Sequence, residues 1–191
     1  MKYIKFITRL LWWIFNCSQF ASLGTKSYFQ KGILITKKYI HCGKMVRVEK
    51  NCRIEGIKRY NDKYFTPKII LHDNVSIQQN LHLTCASRIE IGKNTAIAAN
   101  VTITDIHHPY IDINVPIEKQ DIEVKEVHIG EDCKIYNNTV ILSGITIGKH
   151  VTIGANSVVT HDIPDFCVVA GLPAKVIKQY NFKTNQWEKI L

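Results

Sequence analysis

The sequence lacks any CxxC pair, although it holds six cysteines: Cys17, Cys42, Cys52, Cys85, Cys133 and Cys167. Zinc-binding and thioredoxin-like readings therefore lose their usual signature. Nothing in it resembles a secretory leader with a small-residue cleavage site. Nor does it contain the run of about 20 apolar residues needed to span a bilayer. Reduced thiols and a cytoplasmic location are the expectations that follow. Acidic residues are also few, 16 Asp plus Glu against 25 Lys plus Arg, leaving a net charge of +9. That surplus suits an anionic partner such as a phosphorylated cofactor, an acidic lipid surface or nucleic acid, and does not choose among them.

What is present begins with an ordinary globular composition: 46% hydrophobic and 21% charged residues in a chain of 191. One domain with a small appendage fits that length, and its core needs no metal or disulfide to hold it. Residues 1–30 differ in texture and are expected to form an amphipathic helix and a linker. Tyr3, Phe6, Ile7, Leu10, Leu11, Ile14 and Phe15 recur at helical spacing, Trp12 and Trp13 widen the apolar face, and Lys2, Lys5 and Arg9 lie opposite. Such a helix either lies peripherally on the inner face of a membrane or packs on the protein or a neighbouring subunit.

From Ile129 the chain divides into hexads without a gap: IGEDCK, IYNNTV, ILSGIT, IGKHVT, IGANSV, VTHDIP. Ile129, Ile135, Ile141, Ile147, Ile153 and Val159 head them. Cys133, Thr139, Ile145, Val151, Ser157 and Ile163 follow four positions later. Cys133, like Cys52 in the earlier part, thus falls where a slim buried residue belongs. Each hexad reads as a short strand and a turn, and three close a triangular coil of about 18 residues that stacks at the strand spacing of roughly 4.8 Å. Gly, Asn and Asp take the turns because they tolerate unusual backbone angles. An earlier ladder runs Leu71, Ile77, Leu83 and, after a two-residue slip, Ile91, Ile97, Ile103, with fainter traces at Val48 and Ile54. The expected fold class is all-β, a parallel β-helix over 31–170 with an inserted loop at 105–127, followed by a C-terminal tail at 171–191.

The loop between Ile103 and Ile129 is the one large break in the ladder, and long loops in tight solenoids are often functional. It carries His107 and His108 just before Pro109, with Asp105 three residues before His108. The hexads, this loop and the closing Ala170-Gly171-Leu172-Pro173-Ala174-Lys175 together resemble the hexapeptide-repeat acyltransferases. The closest subgroup is the maltose/galactoside and polysaccharide O-acetyltransferases, and the resemblance covers roughly residues 40–178.

The resemblance implies a left-handed coil, acetyl-CoA as co-substrate, no metal, and a homotrimer with sites between subunits. It makes His108 the general base toward a sugar hydroxyl, with His107 as rival base or substrate contact. Asp105 would orient the imidazole or hold the acceptor. Gln78 and Asn80 fall on the coil before the loop, where relatives place an acceptor-binding Asn. Asn137, Ala155, Thr160 and His161 match coenzyme A positions, followed by Lys175 and Lys178 in the tail. Asn137 and His161 depart from the Ser and Lys usual there. The expected activity is acetyl transfer to a hydroxyl of a sugar or surface-polysaccharide precursor. An amino-sugar N-acetyltransferase and a non-catalytic scaffold are the alternatives. A γ-type carbonic anhydrase would need a histidine spacing that His82, His107, His108 and His128 do not show. No motif supports nucleic-acid binding.

Overall fold

The computed structural model describes residues 2–190, with side chains from residue 7 onward. The hexads fold as read. Three sheets of short parallel strands form the walls of a prism, and the chain visits them in rotation. The first wall holds Ser22–Leu23, Ile40–Cys42, Lys68–Leu71, Arg88–Ile91, Val127–Ile129 and Thr146–Ile147. The third holds Leu34–Ile35, Arg53–Gly56, His82–Cys85, Thr102–Thr104, Val140–Ile141 and Val158–Val159. The second runs from Tyr28–Phe29 through Thr152–Ile153 and continues beyond it.

The predicted heads are the registered pairs: Ile129 with Ile147, Ile135 with Ile153, and Ile141 with Val159. None of these heads is more than 2% exposed. Burial of such aliphatic columns stabilises each coil by roughly 1.5–3 kcal/mol per side chain, which no single hexad could gain alone. Thr139 and Ser157, four positions after their heads, are buried polar residues whose hydroxyls donate to backbone carbonyls, at Tyr136 and Gly154 respectively. Cys52 and Cys133 are buried and free, as are Cys42, Cys85 and Cys167. Burial pushes the Cys42 thiol up to about 12, so it stays protonated and inert.

The turns divide their work between two residue types. Asn80, Asn100, Asn138 and Asn156 all adopt positive φ. Their side-chain amides link in a column along one corner, at 2.9, 3.1 and 2.8 Å. The glycines after the heads serve differently from the expectation, since Gly130 and Gly148 are absent from the positive-φ glycines. A Cβ on Gly130 would lie 2.6 Å from the backbone carbon of Gly148. Close approach of stacked backbones, not backbone angle, excludes a side chain there.

Both ends of the coil differ from the expected boundaries. The first coil strand is Ser22–Leu23, inside the stretch read as linker. The tail is not loose: Cys167–Gly171 adds to the second wall parallel to Thr152–Ile153, and Ala174–Asn181 and Gln186–Lys189 follow it as antiparallel strands. They cover an edge that would otherwise offer unpaired backbone groups. At the other end helix α1 (Lys2–Asn16) closes the coil. Trp12 packs against Phe20, Tyr28 and Phe29, with ring centroids 6.3, 5.1 and 6.0 Å away, and the Trp13 indole N–H donates to the Gly24 carbonyl at 3.0 Å. No helix among the described residues is long and apolar enough to cross a membrane.

Insertions gather at one corner, where the third wall passes to the first. Residues 57–67 leave there as a small hairpin, Arg59–Tyr60 against Lys63–Tyr64. One coil later the same corner holds Ala86 and Ser87, which account for the two-residue slip. The next coil emits the long loop, with Ile106–His107 paired to Glu123–Val124. The two insertions dock. Lys63 meets Asp121 at 2.9 Å, and the Asn61 amide reaches the carbonyls of Lys119 and Gln120.

Candidate active site

Strand alternation turns His82, Thr84, Thr102 and Thr104 outward from the third wall while Leu83 and Ile103 point into the core. The docked insertions overhang this face and border an open cavity of about 360 Å³. His108 and Tyr60 enter it from the two insertions, and Ile57, Ile106 and Ile122 supply apolar walls. Its floor is a hydroxyl ladder, because the Thr84 hydroxyl donates to that of Thr104 at 3.0 Å. Thr104 Oγ1 also accepts the N–H of Ile106 at 3.1 Å, fixing the root of the loop.

His108 is half-buried, and its ring stands edge-on to Tyr60 with centroids 5.3 Å apart. The Tyr60 hydroxyl lies 3.5 Å from His108 Nδ1. That hydroxyl can donate to the Glu118 carbonyl at 2.8 Å or to its carboxylate at 3.0 Å. Desolvation and then the Glu118 carboxylate raise the Tyr60 phenol above its ordinary value, so the phenol keeps its proton. With that proton directed at Glu118, the oxygen lone pairs remain for an Nδ1–H of His108. Nε2 is then the nitrogen left able to accept a proton.

Several expected residues lie elsewhere. His107 is exposed, edge-on to Tyr110, and not part of the cavity wall. Asp105 directs its hydrogen bonds to the preceding coil. It is fully buried, and its two oxygens accept the N–H groups of Ala86 at 2.8 Å and Ser87 at 2.7 Å. Burial raises its carboxyl above the ordinary range, against the pull of those N–H groups. Asn80 is occupied in the corner column, and Gln78 borders a separate groove with Arg47 and Glu49 on the second wall. The residue that shares this cavity with His108 from the preceding coil is His82, which the sequence presents only among the histidines that lack metal-ligand spacing. Tyr60 was missed too. The alternation of Leu81, His82 and Leu83 signals an outward polar side chain, whereas nothing in the faint early ladder singles out Tyr60.

The remaining candidates frame the same face nearer the C-terminus. Asn137 and Ala155 stack at the corner entering the third wall, since the Asn156 N–H donates to the Asn137 carbonyl at 2.9 Å. Lys175 pairs with Ala170, and a Cβ on Gly154 would meet the Ala170 Cβ at 3.0 Å, so the lysine's strand runs beside that corner. Lys178 lies further along the same strand, opposite Val168. Thr160 and His161 sit at the far side of the wall, with Thr160 Oγ1 and His161 Nδ1 2.8 Å apart. Among the described residues no three of His, Cys, Asp or Glu are grouped to hold a metal ion.

Known proteins share both the repeat and the coil. Residues 126–161 match the bacterial transferase hexapeptide family (six repeats). Over 141 residues the chain is 39% identical to the putative lipopolysaccharide biosynthesis O-acetyl transferase WbbJ of Escherichia coli, covering 70% of this chain and 72% of that protein. Over 121 residues it is 35% identical to the galactoside O-acetyltransferase of Escherichia coli, covering 62% of this chain and 58% of the relative. A solved galactoside acetyltransferase in complex with coenzyme A superposes with a TM-score of 0.57 at 27% identity, over 87% of this chain and 68% of that one. With repeat, register and relatives in agreement, the chain belongs to the hexapeptide-repeat acyltransferase family, and its coil is the left-handed parallel β-helix of that family.

Proposed function

We propose that this protein is an acetyl-CoA-dependent O-acetyltransferase acting on a hydroxyl of a sugar or surface-polysaccharide precursor. The observation that carries the reading is the cavity that brings His108 over a floor of hydroxyl-bearing side chains. Its relatives WbbJ and galactoside O-acetyltransferase are O-acetyltransferases by name.

In this reading the chain's own residues perform four tasks. His108 Nε2 takes the proton of the acceptor hydroxyl as its oxygen attacks, and afterwards returns it to the departing sulfur. Tyr60, anchored by Glu118, holds the imidazole in the tautomer that leaves Nε2 free. His82, Thr84, Thr102 and Thr104 offer hydrogen bonds that orient a polyhydroxylated acceptor. Asn137, Ala155, Thr160, His161, Lys175 and Lys178 border the path of the co-substrate. Bound acetyl-CoA supplies the activated acyl group as a thioester. The fit rests on the small Ala155 at an open corner and on exposed cations of the adjoining strand, which suit the phosphates. Direct transfer needs no nucleophilic serine or cysteine. A homotrimer, closed by threefold symmetry, would set this face against a neighbour.

The test is a screen of sugars and nucleotide sugars for thiol release from acetyl-CoA, run with wild type and His108→Ala. The reading expects turnover with at least one saccharide, lost in the variant while coenzyme A still binds. Equal turnover by both would contradict it.

A further inference from the structure

The positive charge of this protein is not spread over it. The chain carries nine lysines and arginines and no acid before Glu49, and the remaining 16 basic and 16 acidic residues cancel. The whole net charge of +9 therefore resides in α1 and the first coils. Lys26, Lys31, Lys38, Lys44 and Arg47 are exposed there.

The same end presents an uncovered apolar surface. α1 packs through Trp12 and Trp13, so its other side faces outward: Ile7, Leu10, Leu11, Ile14 and Phe15 are 54, 47, 48, 50 and 71% exposed. At 3.6 residues per turn these five span an arc of about 140°. Nothing intrinsic explains a helix of this composition. Its first turn carries no acid and its last no base, so it gains nothing from its own dipole. Arg9 sits over Tyr28 on the packed side, so the basic charge beside the arc is that of the acid-free first coils. A wide apolar arc next to such a surface is the pattern that binds within a lipid interface.

We propose that the N-terminal end of the β-helix docks on an anionic bilayer, with the arc of Ile7, Leu10, Leu11, Ile14 and Phe15 seated among the acyl chains. The basic first coils hold it against the headgroups. The Trp12 and Trp13 contacts fix the helix to the coil, so the arc is presented rigidly. The proposal stands apart from the acetyl-transfer reading, because neither α1 nor this arc borders the His108 cavity.

The test sediments the full-length protein with vesicles of phosphatidylcholine alone or mixed with phosphatidylglycerol. Wild type is expected to pellet with the anionic vesicles, about tenfold more weakly with neutral ones, and to be released by high salt. A variant with Leu10, Leu11, Ile14 and Phe15 all replaced by serine should lose about tenfold or more in binding. Its turnover on a soluble acceptor should be unchanged. A second variant, Lys26→Gln with Lys38→Gln and Lys44→Gln, removes exposed cations of the first coils, should lose the anionic preference and guards against misfolding of the first. Failure of wild type to pellet with anionic vesicles at low salt would overturn the proposal, as would equal pelleting of the serine variant. So would a fall in solution mass of the serine variant when wild type ignores vesicles, since a second copy would then be what covers the arc.

Discussion

Replacing Asp105 by alanine should cost stability and leave the chemistry of His108 largely intact. The carboxylate accepts the N–H of Ala86, which is 1% exposed, and that of Ser87, which is half-buried. Leaving a buried donor without a partner costs about 1–3 kcal/mol, and a half-buried one less because water can reach it. Against this, the wild type bears the cost of a buried carboxylate, visible in its raised proton affinity, and alanine relieves it. The net expectation is a loss of about 2–3 kcal/mol. For a chain of this size that lowers Tm by roughly 4–12 °C. Differential scanning calorimetry at one protein concentration reads the change. A pH–rate profile measured well below the transition tests the second half of the claim. An unchanged Tm with a displaced limb in that profile would refute the reasoning, because Asp105 would then act on the imidazole.

Three further outcomes follow from the geometry. Tyr60→Phe removes the hydroxyl beside His108 Nδ1. It should shift the pH–rate limb assigned to His108 and lower kcat by about tenfold with little change in Tm; a Tm change alone would make Tyr60 merely structural. Glu90 on the first wall receives hydrogen bonds from His72 and Arg88 that, with their charges, outweigh the cost of burial and bring its pKa to about 2. Its stabilisation is complete above the unfolded value and lost as pH falls from about 4.5 to 2. Discounted for partial exposure it amounts to about 1–2 kcal/mol. The stability gap between wild type and Glu90→Gln should therefore close over that window in acid unfolding curves. Gly130→Ala should cost about 1–3 kcal/mol in denaturant unfolding, since the added methyl meets the Gly148 backbone.

The parts of the molecule legible in its sequence are those the repeat dictates. Ile129 to Val159 could be assigned to the core because period six and stacking leave an aliphatic head only one place to point. The two-residue slip before Ile91 was legible as a fact, and its cause was not: it takes the structure to see Ala86 and Ser87 held by Asp105. That same aspartate shows why adjacency misleads, since a residue three before His108 in sequence can face the opposite side of a turn. The alternation of Leu81, His82 and Leu83 makes His82 legible as an outward residue, but outward residues of a coil are free to vary, so nothing marked it as part of the site. Tyr60 was hidden because it sits in an insertion where the early ladder is faint. For α1, spacing identified an apolar arc but could not say which side packs; the indole rings of Trp12 and Trp13 decided that.

The central claim is that His108, not its neighbour, carries the proton during acyl transfer. The most direct measurement compares kcat for acetyl transfer in His107→Ala and His108→Ala at saturating acetyl-CoA. His107→Ala should stay within a few-fold of wild type, and His108→Ala should fall by about 10²–10⁴, the usual contribution of a general base. Similar rates in the two variants, or the larger loss at His107, would contradict the assignment.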